Sequence, residues 1–364
     1  MKVGLFIRYL VLVLLAWNCS SSNTDGISDP PNNEEPEMYF PSIGSNSWEI
    51  QNIDELNWNT SALPDLLNFL EDSNSRTFII LYKGRIVVEN YFNGATSNSN
   101  LPWFSAGKTL SAFMVGKAQE EGHLDLTDSS SDYLGQGWTS MNQEEEMAIT
   151  IFHHLSMTTG LDYLGNGFCT DPECLEYLNP AGSFWYYHNA PYTLIQDIVS
   201  NAVSTTFDNY FNSKLRDPIG MQGLWIPSGF NKFYFSNARS MARFGLLCLN
   251  EGVWDEQLIL EDTDFFQNMT NTSQQLNKAY GYLWWLNGKA SYRVPGSTQE
   301  FSGHLIPNAP TDLIAGLGAN DQKLYVVPSM DLVIIRQGGD AGETLLGPSG
   351  YDNQLWSYIS DLIN

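Results

Sequence analysis

Phe104-Ser105-Ala106-Gly107-Lys108-Thr109 stands between an apolar lead-in, Leu101-Pro102-Trp103-Phe104, and a run with helical periodicity. In that run Leu110, Phe113, Met114, Lys117 and Ala118 recur at helical spacing, and Gly122 supplies a stop. The pattern predicts a helix from Ser105, with Ser105 and Lys108 on one face. A serine hydroxyl is a poor nucleophile until its proton is taken. A lysine amine takes it when burial or neighbouring positive charge lowers the amine's pKa. A helix N-terminus acts in the same direction, because it disfavours a charged lysine and stabilises nearby negative charge. Alone, S-x-x-K is a weak signal, met equally well by a serine cap and a solvated lysine. The apolar setting on both sides argues against solvation of Lys108.

Upstream, Arg76 to Phe92 reads as a hairpin, two β-branched runs around Tyr82-Lys83-Gly84-Arg85. Downstream, helices are expected from Thr150 past Leu155, after Pro191 through Val199, and from Ala238 to Asn250. Tyr280 to Leu286, Lys323 to Val327 and Leu332 to Ile335 read as strands, and Tyr351 to Ile363 as a closing helix. The plan is α+β: an antiparallel sheet built from both ends of the chain, flanked by helices, with a mostly helical inserted region. The active site is expected at the seam between them, a common place for pockets.

Two further stretches bear on chemistry. Trp185-Tyr186-Tyr187-His188-Asn189-Ala190-Pro191-Tyr192 is crowded with aromatics just before a helix. A tyrosine there can relay a proton if positive charge lowers its pKa, although an aromatic core corner capped by Asn189 reads the same residues. Ala315-Gly316-Leu317-Gly318-Ala319-Asn320-Asp321-Gln322 precedes a strand. Its small residues let the backbone approach a ligand, and the Ala319 amide can join that of Ser105 around an oxyanion. A plain glycine-rich turn is the simpler alternative.

Taken in order, Ser105-x-x-Lys108, Tyr187-x-Asn189 and the Gly316 to Ala319 segment resemble the serine β-lactamase and penicillin-binding protein superfamily. The likeness is nearest to its branch of class C β-lactamases, esterases and 6-aminohexanoate-dimer hydrolases. Ile149 to Leu161, Ser240 to Leu247, and Tyr325-Val326-Val327-Pro328 with Asp331-Leu332-Val333 extend it from about Arg76 to the C-terminus. The resemblance implies a β-lactamase/transpeptidase-like fold and no metal or organic cofactor. Ser105 is then the acylated serine, Lys108 its proton-transfer partner, Tyr187 the shared acid and base, and Asn189 the Tyr-x-Asn asparagine. Gly318 and Ala319 border the oxyanion hole. The sequence leaves either Lys108 or Tyr187 as the first base.

One departure bears on substrate. Class C β-lactamases carry Lys-Thr-Gly where this chain has Gly316-Leu317-Gly318. A cation that would meet a substrate carboxylate is absent, which lowers the expected recognition of carboxylated substrates. Arg336 and His304 are the candidate substitutes, and Asn320 is a candidate polar contact. The expected substrate is therefore a small ester or amide, ahead of a β-lactam or a D-Ala-D-Ala peptide. A non-catalytic binder of envelope peptide or glycan is the alternative of another class. His188 is expected to line the cleft or to pack within the core, and Trp185, Trp284 and Trp285 to wall the cleft or fill the core. His153 and His154 read as packing and surface.

Asp and Glu number 41 against 17 Lys and Arg, a net charge of −24 that repels nucleic acid. Lys2, Arg8 and the apolar run to Trp17 read as an export signal over 1–19, too short to span a membrane comfortably. Cys19 resembles the lipidated cysteine of a bacterial lipoprotein, although Ala16-Trp17-Asn18 departs from the usual small-residue pattern. Residues 20–45 are Ser-, Asn-, Glu- and Pro-rich and read as a tether, and 46–364 as the hydrolase domain. The expected location is the bacterial cell envelope, anchored by lipid. Cys169 and Cys174 are candidates for a local disulfide, with a metal site as the rival. Cys248 reads as a buried small hydrophobe.

Overall fold

The computed structural model describes residues 37–364 other than 166, 343–347 and 349. The export signal, Cys19 and most of the tether lie outside the described residues. The centre is a six-stranded antiparallel sheet. Its strands in chain order are β1 (Ser75–Tyr82), β2 (Arg85–Tyr91), β3 (Trp285–Leu286), β4 (Ile314–Gly318), β5 (Gln322–Val327) and β6 (Leu332–Gly338). In space they run β2-β1-β6-β5-β4-β3. The expected union of the early hairpin with the late strands is therefore observed, as β1 pairs β6.

Helices cover both faces, which is why the central strands read as continuous apolar runs rather than alternating ones. The helices that matter here are α1 (Leu63–Asp72), α2 (Lys108–Glu120), α3 (Ile151–Leu155), α4 (Asn189–Thr193), α5 (Ile195–Ala202), α6 (Ala238–Leu249) and α7 (Gly350–Ile363). Successive strand residues point to opposite faces. On β5, Leu324 lies beside Gly245 of α6, whereas Tyr325 meets Trp356 and Asp352 of α7. Helices α6 and α7 thus sit on opposite faces, and the region between β2 and β3 is the mostly helical insertion.

The structure departs from the sequence reading in three places. Ile314–Gly318 is itself a strand, not a turn ahead of one, because its backbone is paired on both sides despite its glycines. Of Tyr280 to Leu286, only Trp285–Leu286 joins the sheet. Residues 39–45, whose composition suggested tether, are seated on the body. Tyr39 N–H donates to Lys83 O, and Arg243 donates to the carbonyls of Pro41, Ser42 and Ser45. Cys169 and Cys174 form a disulfide with Cα atoms 5.8 Å apart, and Cys248 is buried. Among the described residues no helix is long and apolar enough to cross a membrane.

Beneath β5 lies a fully buried ionic group. Lys323 Nζ donates to Asp352 Oδ2 at 2.8 Å and pairs with Asp321 Oδ1 at 3.1 Å, while Tyr325 donates to Asp352 Oδ1. The fit of α6 against the other face is tight. A Cβ at Gly245 would lie 2.8 Å from Leu324 Cδ1 and closer still to Val333 Cγ1. Gly245→Ala gains helix propensity of about 1 kcal/mol, but overpacking costs about 1–3 kcal/mol. A net loss of stability is expected, read as a lower urea midpoint at unchanged slope.

Candidate active site

Ser105 does not sit in an α-helix. It lies in the 3-10 turn Phe104–Gly107, and α2 starts at Lys108. The tighter winding strengthens the pairing, since i and i+3 eclipse at three residues per turn. Lys108 Nζ is 2.7 Å from Ser105 Oγ. Phe104, immediately before Ser105, has φ +45°. This left-handed backbone is unusual for a bulky residue and is held by edge contact of its ring with Phe233 at 5.3 Å.

Lys108 is 1% exposed. Its amine also donates to Asn189 Oδ1 at 3.1 Å and lies over the rings of Tyr192 and Tyr187, 3.8 and 4.9 Å from their centroids. Burial drives its pKa well below that of an ordinary lysine. Ring faces attract a cation, but among the described residues no carboxylate pairs with it, so desolvation dominates. Burial, one of the causes the sequence offers, accounts for the shift.

Tyr187 and Asn189 arrive on the insertion, Asn189 as the first residue of α4. Tyr187 stacks on Trp285 of β3 with centroids 5.6 Å apart, so the sheet's edge strand braces it. Burial raises its pKa, opposed by a hydrogen bond with Ser105. The sequence had suggested a lowered value; with the neighbouring lysine itself disfavouring charge, the cation needed for that is missing. The loop is pinned from behind by His154. This histidine donates from Nδ1 to Pro191 O at 2.6 Å and accepts at Nε2 from Ser130 Oγ at 2.9 Å. Burial holds its pKa at about 4.

β4 closes the third side. Gly316 runs beside Thr109 and Ala106, and a Cβ at Gly318 would collide with Trp103 O and lie 3.1 Å from Ala106 N. The missing side chains let the strand lie against the nucleophile turn. Beyond it, Asn320 and Asp321 both have positive φ, +56° and +57°. Their carbonyls accept from Arg336 Nη1 at 3.0 and 2.9 Å, and Gln322 Nε2 donates to Asn320 O at 2.8 Å.

These contacts place the remaining candidates. Arg336 is fully buried, with its guanidinium bonded to Ser75 Oγ and to the carbonyls of Ser73, Asn320, Asp321 and Gly339. It shapes the turn after β4 and does not replace the missing cation. His304 is exposed. Neither it nor Asn320 lines the cleft bounded by Tyr163, Tyr186, Tyr187, His188 and Asn189. Trp185 and Trp284 are core residues. Tyr192 and Gln322 were missed as contributors. Tyr192 was legible only as another aromatic near the motif, and Gln322 only as the end of the segment preceding a strand.

Solved structures with the same fold include a putative 6-aminohexanoate-dimer hydrolase from Bacillus anthracis, 19% identical over 89% of this chain and 87% of that one, TM-score 0.64. A putative beta-lactamase from Bacteroides dorei is 14% identical over 85% of this chain and all of the other, TM-score 0.67. A penicillin binding protein from Bacillus halodurans is 15% identical over 81% and 99%, TM-score 0.59. None of the curated proteins compared with the chain matches it. The Beta-lactamase family matches residues 74–335, most of the chain and every element that meets at Ser105. The chain belongs to that family, and with it to the serine-hydrolase type of enzyme within the superfamily of β-lactamases and penicillin-binding proteins.

Proposed function

We propose that the chain hydrolyses small esters or amides through an acyl-enzyme on Ser105, in preference to β-lactams. The observation that carries this is the 2.7 Å approach of Ser105 Oγ to an amine whose pKa burial lowers well below that of an ordinary lysine. Neutral Lys108 accepts the Ser105 proton as Oγ bonds to the substrate carbonyl carbon. The carbonyl oxygen becomes an oxyanion facing the amides of Ser105 and Ala319. Tyr187, kept protonated by burial, gives its proton to the leaving alcohol or amine as that bond breaks, and regains one from the Lys108 ammonium. Asn189 holds the amine in place. Water then adds to the acyl carbon with Lys108 again taking a proton, and the acid leaves with Ser105 restored.

The preference against β-lactams and carboxylated peptides rests on charge. No residue lining the cleft beside Tyr187 is ionic, Arg336 is occupied by carbonyls, and the net charge is −24. We further propose export and a lipid anchor at Cys19. Cys19→Ser is expected to move the protein from the membrane fraction to the soluble envelope fraction, and unchanged partitioning would reject the anchor.

Lys108→Met is expected to lower ester turnover by roughly 10⁴-fold or more while raising stability by about 0.5–2 kcal/mol. The sign follows from linkage. A lysine whose folded pKa is depressed binds fewer protons in the folded state, so it penalises stability fully below the folded pKa. The penalty fades as pH rises toward the unfolded value near 10.4. In the wild type, fluorophosphonate labelling of Ser105 should rise with pH around a midpoint well below 10.5. A midpoint at 10.5 would remove Lys108 as the base.

Substrate choice is read from one panel of p-nitrophenyl esters, nitrocefin and D-Ala-D-Ala peptides. The esters should turn over fastest. Strong nitrocefin turnover with little esterase activity would reverse the preference. Absence of Ser105 labelling in folded protein that retains cell-wall fragments would make the chain a binder.

A further inference from the structure

Taking the Ser105 proton turns Lys108 into an ammonium, and that charge has to be held where water is excluded. The amine's hydrogen bonds go to Ser105 Oγ and Asn189 Oδ1, both uncharged. The titratable groups around it are Tyr187 and Tyr192, and burial raises the pKa of both, so both stay neutral phenols. Burial is also the only cause that moves the pKa of Lys108 itself. Neither an anion nor bulk water is therefore at hand for the charge that the reaction creates.

Tyr192 stands out among these neighbours. Its ring centroid is 3.8 Å from Lys108 Nζ, against 4.9 Å for Tyr187. The face of an aromatic ring is its negative side, and its pull on a cation strengthens as water is removed. Asn189 and Tyr192 are three apart in α4, so one turn brings both to the amine. Tyr192 is 4% exposed, and its hydroxyl donates to Asn231 Oδ1 at 3.1 Å. Asn231 begins the strand Asn231–Ser236, which pairs with Leu101–Pro102 just ahead of the Ser105 turn. The ring and the nucleophile are thus fastened to the same small sheet.

We propose that the ring face of Tyr192 is the electrostatic partner of the Lys108 ammonium formed during acylation, which makes Tyr192 a further residue of the reaction, acting through Lys108. As the proton passes from Ser105 Oγ to Nζ, positive charge appears 3.8 Å from the ring centroid. The attraction is weak for the neutral amine and strong for the ammonium, so it favours the transition state over the resting site. Burial costs the amine basicity, and the ring restores part of it where the proton arrives. The inference rests on the hydrolase reading above and adds a residue to it.

The test reads the rate at which a fluorophosphonate labels Ser105, a step in which Oγ bonds to phosphorus, fluoride leaves and Lys108 takes the serine proton. Tyr192→Phe keeps the ring face and should label within about threefold of the wild type. Phenylalanines carrying one, two or three ring fluorines at the same position keep nearly the same shape but present a progressively less negative face. Above the labelling midpoint, each fluorine should slow labelling by a similar factor, reaching at least about tenfold across the series. In Tyr192→Leu the rate should fall at least as far and the midpoint should move to lower pH, because the ammonium loses its partner. A ring that only shields the amine gives the opposite sign, since water entering the Leu variant raises the midpoint, and such a rise overturns the proposal. Labelling indifferent to fluorine, or Tyr192→Phe as slow as Tyr192→Leu, also overturns it. Should Tyr192→Leu fail to fold, the fluorinated series decides. A labelled wild type indifferent to fluorine sinks this inference alone, whereas an unlabelled one sinks the hydrolase reading and this inference with it.

Discussion

The site is organised around one lysine amine removed from water without a carboxylate to balance it. Keeping Lys108 dry requires the wall of α2, the rings of Tyr187 and Tyr192, and the amide of Asn189 to close over it together. The rings and the amide come from one short stretch around the start of α4, α2 comes from earlier in the insertion, and Tyr187 in turn leans on Trp285 of the sheet. Burial of an uncompensated base works against folding, so the surrounding structure has to over-determine it. The aromatic abundance of the chain finds its use here, because rings supply apolar bulk and tolerate an amine against their faces.

The third wall is maintained from a distance. The turn after β4 has two successive residues with positive φ, a conformation that a loop would not keep unaided. Arg336 and Gln322 grip its carbonyls, and Asp321 is tied into the buried group with Lys323 and Asp352. Arg336, a candidate from sequence for meeting a substrate carboxylate, thus serves the backbone instead. Arg336 and Gln322 fix the backbone just after Ala319, and the oxyanion role proposed for its amide would depend on such a fixed dipole.

Much of this was legible in the sequence, for identifiable reasons. The hairpin Ser75–Tyr91 and strands β5 and β6 carry apolar, β-rich runs, and helices α2, α6 and α7 carry 3.6-residue periodicity. Ser105, Lys108, Tyr187 and Asn189 were legible through their order and spacing. β4 was hidden because three of its residues are glycine or alanine, selected for close approach rather than strand propensity. The role of Arg336 was hidden because its partners are carbonyls, which no sequence pattern displays.

The segment seated on β2 has a consequence for how copies of the chain meet. Gln51 N–H donates to Ile86 O at 2.9 Å and Ile86 N–H to Glu49 O at 3.0 Å, and Arg239 and Arg243 fasten the residues just before. An outer strand with free amides is a template for pairing with another molecule. Here that rim is occupied at Ile86 by the chain's own backbone, and the opposite rim is only two residues long. The register of any strand a neighbour adds is therefore interrupted at Ile86 on one border and confined to two residues on the other.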